Sequence, residues 1–79
     1  MANTSDRATA LKNIEEGIAE LVAADHSESE FASRAGIPLS TFRRNRRRPE
    51  GLTVGHLLDI AETGGVKPSA LFEGKGGRA

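Results

Sequence analysis

The 79-residue sequence has no cysteine, tryptophan or tyrosine; its aromatics are three phenylalanines and its formal net charge is zero. Each absence excludes something. Without cysteine there are no disulfides and no thiolate metal sites. No apolar run reaches the ~20 residues of a membrane span, and the polar start "MANTSDRATA" lacks the apolar stretch of a signal peptide. The expectation is an intracellular, soluble protein of the cytoplasm. A chain this short buries a modest fraction of its surface, so without staples it depends on well-packed helices. Three phenylalanines leave none to spare from a core, which disfavours a single-strand binder that stacks bases on rings.

The zero net charge conceals an asymmetry. Residues 1–33 hold two cations against seven acids, a net −5. Residues 34–48 hold Arg34, Arg43, Arg44, Arg46, Arg47 and Arg48 with no acid, a net +6, and residues 49–79 carry −1. Charge runs are commonly solvated surface, but six cations with no neighbouring acid in sequence form a patch suited to a polyanion.

Apolar spacing predicts an all-α chain of about five short helices. In helix one, Leu11, Ile14, Ile18, Leu21 and Val22 recur on one face, with Ser5 as N-cap, Asp6 at the positive end of the dipole and an end near Asp25 and His26. Gly17 within it costs ~1 kcal/mol relative to alanine, so this helix relies on packing. Ser27 and Glu30 have the spacing of a capping box for helix two, whose buried side is Phe31, Ala32 and Ala35; Gly36 ends it. Pro38 suits the opening of helix three, Phe42 is its inward anchor, and Pro49 requires it to stop by about Arg48. Thr53 caps helix four, with Val54, Leu57, Leu58 and Ala61 expected on one face and Gly64–Gly65 as its end. Helix five opens at Pro68, with Val66, Leu71 and Phe72 expected to pack inward. Residues 1–73 then form one domain, and residues 74–79, "GKGGRA", a flexible tail.

Residues 28–47 fit the twenty-position helix-turn-helix pattern: small Ala32 where the two helices cross, Gly36 at the turn four residues later, Ile37 and Phe42 as the contacts that lock the second helix. With "LTVGHLLDIAETGGVKPSALF" following, the sequence resembles the Xre-type helix-turn-helix family, which includes phage repressors and Cro-type proteins; the likeness covers about residues 10–73. It implies a lambda-repressor-like bundle. One position departs from the pattern: where the family usually places an aliphatic residue after the Phe42 anchor, this chain has Asn45 and Arg46. That leaves the end of helix three either less well pinned to the core or projecting beyond it.

The resemblance implies a sequence-specific transcriptional regulator that inserts the helix around residues 39–47 into the major groove of double-stranded DNA. Carried over position by position, the base-facing residues are Pro38, Leu39, Ser40, Arg43 and Arg44. Arginine can donate two hydrogen bonds to a guanine edge, Ser40 can bond several edges, and Leu39 and Pro38 can touch a thymine methyl. Thr41, Arg46, Arg47 and Arg48 are expected on phosphates, which set register and much of the affinity. The N-terminus of helix two near Ser27 and Glu28 is a further phosphate site, opposed by the charges of Glu28 and Glu30. Family members often dimerise so that two such helices meet successive groove turns; a homodimer here must use helix one, helix five or the tail.

Two other readings stand beside this one. "RRNRRR" looks like the arginine-rich helices that viral Rev-type proteins insert into RNA, but here the run begins inside a packed helix, which favours duplex DNA. A protein-interaction module could dock a basic partner on Glu15, Glu16 and Glu20 and an acidic one on the arginines. No enzyme, cofactor, metal site or small-molecule substrate is expected. His26 and His56 lie thirty residues apart without carboxylate pairs, as a helix-end and a surface residue, and "EGKGGRA" neither follows a strand nor opens a helix, so it is no phosphate loop.

Overall fold

The computed structural model describes residues 4–25 and 27–77, with side chains over 6–25 and 27–73. Among them the chain forms five α-helices and one 3-10 turn, with no strand. These are α1 (Thr4–Ala23), α2 (Glu28–Ala35), α3 (Leu39–Arg47), the turn Pro49–Gly51, α4 (Val54–Gly64) and α5 (Pro68–Gly77). The all-α expectation holds. The first helix already includes Ser5, so that residue is not its N-cap. His26 lies outside the described residues. The backbone of the expected tail is helical as far as Gly77, and residues 78 and 79 lie outside the description.

Local chemistry sets most of the boundaries. Ser27 has an extended backbone and its Oγ accepts the Glu30 N–H at 3.1 Å, which satisfies one of the orphan amides at the start of α2. Thr53 does the same for α4, accepting from the His56 N–H at 3.0 Å. Gly36 ends α2 at φ 77°, a left-handed conformation that costs glycine little, and its N–H returns to the Ala32 and Ser33 carbonyls. Gly65 ends α4 in the same way at φ 75°.

The core is one cluster. Phe31, Phe42, Ile18 and Ile60 are its largest fully buried side chains, joined by Ile14, Ala32, Ala35, Ile37, Ala61 and Leu71. Phe31 and Phe42 rings stand 5.6 Å apart, tilted by 35°, so α2 and α3 are locked by an aromatic pair. The helix α1 packs chiefly against α5; Gly17 lets Leu71 approach so closely that a Cβ there would lie 3.2 Å from Leu71 Cδ2. Asn13 Nδ2 adds a hydrogen bond to the Phe72 carbonyl at 2.9 Å.

Three expectations about packing are corrected. On α4 the inward residues are Leu57, Ile60, Ala61 and Gly64, while Val54 is 72% exposed and Leu58 is also exposed. The apolar residues Val54, Leu57, Leu58, Ile60 and Ala61 spread over nearly half of the circumference of α4, so periodicity leaves open which of them face the core. Packing decides it: α4 lies against α2 and α5, and at its end the Leu21 side chain of α1 comes so close to Gly64 that a Cβ there would lie 2.6 Å from Leu21 Cδ1. Phe72 is 47% exposed, with Leu71 taking the buried position on α5. His56 is half-buried, and its Nδ1 is enclosed with no hydrogen-bond partner among the described residues.

Candidate nucleic-acid interface

The helix α3 divides lengthwise. Phe42 and Asn45 are buried and Leu39 is half-buried against the core, whereas Ser40, Arg43, Arg44 and Arg47 are exposed. Those four are spaced i, i+3, i+4 and i+7, so they share one helix face. Pro38 stands exposed at its N-cap, Thr41 is half-buried, and Arg48 is exposed at its C-cap. Glu28, Ser40, Arg43, Arg44, Arg47 and Arg48 line an open depression of about 750 Å³.

The end of α3 is pinned, contrary to one of the two expectations above. Asn45 is 8% exposed, and its side chain occupies the space beside Gly51 in the 3-10 turn, with Oδ1 2.7 Å from where a Cβ on Gly51 would stand. A short polar side chain against a glycine thus replaces the aliphatic contact that the resemblance leads one to expect. Arg46 turns the other way and is half-buried along α2.

The arginines are not all without acids, as their run in the sequence suggests. Glu28, at the first position of α2, takes two of them: Arg43 Nε donates to Oε1 at 3.0 Å and Arg46 Nη1 to Oε2 at 2.5 Å. Burial pushes the Glu28 carboxyl up, but the hydrogen bonds and charges of Arg43 and Arg46 more than offset this and hold it below the ordinary range. Arg34 pairs with Asp25 and lies 6.0 Å from the centre of the Phe31 ring. Arg44, Arg47 and Arg48 have no acidic partner among the described residues.

Of the nine residues expected to face a ligand, Ser40, Arg43, Arg44, Arg47 and Arg48 come together on one surface with Pro38 at its end. Leu39 and Thr41 are partly turned away, and Arg46 is withdrawn to the α2 side. Glu28 is the site residue that local sequence reasoning left out of these pairs, since its partners lie 15 and 18 positions away. Three unpaired guanidiniums along one helix, with a hydroxyl among them, can bind an extended anion. No helix among the described residues is long and apolar enough to cross a membrane, and no group of three or more His, Asp or Glu could hold a metal ion there. No family model matches the chain, and neither a curated protein nor a solved structure matches it.

Proposed function

We propose that this chain is a sequence-specific duplex DNA-binding transcriptional regulator of the phage repressor or Cro type, without catalytic activity, that acts in the cytoplasm. In this reading α2, the turn at 36–38 and α3 form a helix-turn-helix, and α3 enters the major groove. The observation that carries it is the exposed face Ser40–Arg43–Arg44–Arg47 on a helix whose opposite side is fixed in the core by Phe42. A recognition helix needs this combination: donors on one side and rigid anchoring on the other.

Pro38, Ser40, Arg43 and Arg44 stand near the start of α3, where base edges are read; Leu39 offers a smaller apolar contact because half of it faces the core. Arg47 and Arg48 meet phosphates on either side of the groove, with Thr41 beside them. Arg46 is the weakest candidate, being committed to Glu28.

Titrating random-sequence duplex at several salt concentrations tests the reading. Binding should weaken as salt rises, with a log–log slope of about −0.9 for each phosphate neutralised. Absence of binding at low salt, or binding indifferent to salt, contradicts it.

A further inference from the structure

We infer that Glu28 is an internal competitor for the DNA backbone: it holds Arg43 and Arg46 against α2 and withholds them from the phosphates of random-sequence duplex. The inference rests on the duplex-binding reading and specifies how that same surface discriminates.

The geometry gives one carboxylate two charged donors, one on each oxygen, at 3.0 Å and 2.5 Å. Both arginines therefore meet an acceptor of the same charge and the same two-oxygen shape that a phosphate would present. Arg43 and Arg46 are three residues apart on α3 and lean to the α2 side, while Arg44 and Arg47, also three apart, form no ion pair with an acid among the described residues. The helix thus carries an engaged pair and a free pair. Of the engaged pair, Arg46 is only 24% exposed and Arg43 is 61% exposed, so Arg43 is the one a ligand can reach without disturbing the core.

A random phosphate offers Arg43 little that Glu28 does not already supply. A guanine edge lying under α3 offers two acceptors at once in a fixed position, and so can draw Arg43 away. Glu28 acts as a specificity-determining residue: it lowers non-specific affinity more than affinity for a matched site. Without Glu28 the chain would present two further guanidiniums to any duplex it met.

The test compares the wild-type chain with Glu28→Gln and Glu30→Gln on random-sequence duplex across a salt series. Glu30 is exposed two residues further on and holds the Ser27 cap through its backbone N–H, so its substitution removes the same charge without releasing an arginine. Glu28→Gln is expected to bind about three- to tenfold tighter, with a salt slope steeper by about 0.9 to 1.8, the equivalent of one to two phosphates, and Glu30→Gln to keep the wild-type slope. If the two variants steepen the slope equally, or neither does, the inference falls and the duplex reading stands. If no protein of the set binds duplex, both fall. A measurement on the unsubstituted chain is independent of how the variants fold. On adding random duplex, the side-chain Nε–H resonances of Arg44 and Arg47 should shift while those of Arg43 and Arg46 stay in place. Joint movement of all four overturns the inference.

Discussion

Asn45 lies where a β-carbon on Gly51 would have to go: its Oδ1 is 2.7 Å from that position. This contact ties the last turn of α3 to the 3-10 turn that follows, and so fixes the direction in which Arg44, Arg47 and Arg48 project. Gly51→Ala must push the amide aside. Overpacking of this kind costs about 1–3 kcal/mol, so the expected result is a clear drop in Tm with retained helicity. An unchanged Tm would mean that Asn45 does not hold the end of the helix.

Phe42 has the opposite role, filling the core beneath the exposed arginines. Phe42→Ala should cost about 3–5 kcal/mol, enough to unfold a domain of this size at ambient temperature. Val54→Ser, at a position 72% exposed, should change stability by less than about 0.5 kcal/mol. Chemical denaturation followed by circular dichroism measures both; a large loss at Val54 would place that residue in a core or an interface.

The depressed Glu28 carboxyl predicts an acid limb. A carboxyl held below its unfolded value of 4.5 contributes stability that is complete above that pH and is lost as pH falls through the lower folded value. Denaturation midpoints measured from neutral pH down through this window should fall more steeply for the wild type than for Glu28→Gln. Parallel curves would show that the ion pairs with Arg43 and Arg46 add nothing in solution.

The free arginines make a separable prediction. Arg47→Ala should weaken binding to all duplexes alike and reduce the salt slope by about 0.9. A change of preferred sequence with an unaltered slope would instead put Arg47 on a base edge.

Much of this was legible in the sequence because it is local. The Ser27 and Thr53 caps, the Gly36 turn, and the burial of Phe31, Ala32, Ala35 and Phe42 depend on residues within a turn or two of each other. What was not legible depends on which helix lies opposite. Glu28 reaches Arg43 and Arg46 across the turn between α2 and α3, and no charge count by segment shows that. Ile60 rather than Val54 faces the core because α4 lies against α2 and α5 on that side. Asn45 reads as a defect in the pattern until Gly51 is seen beside it. The exposed face of α3 falls between these cases: the family resemblance groups Pro38, Leu39, Ser40, Arg43 and Arg44 as base-facing, but with the helix anchored Leu39 is half turned to the core, Arg47 shares the exposed face and Arg46 leaves it for Glu28.

The most direct test is selection of bound sites from a random duplex library by the intact chain and by Arg44→Ala. If α3 reads the major groove, the wild type should enrich a defined sequence and Arg44→Ala should lose preference at one position, at a cost of about 1–3 kcal/mol. Enrichment of the same sequence by both proteins, or of none by the wild type, would contradict the proposed recognition by α3.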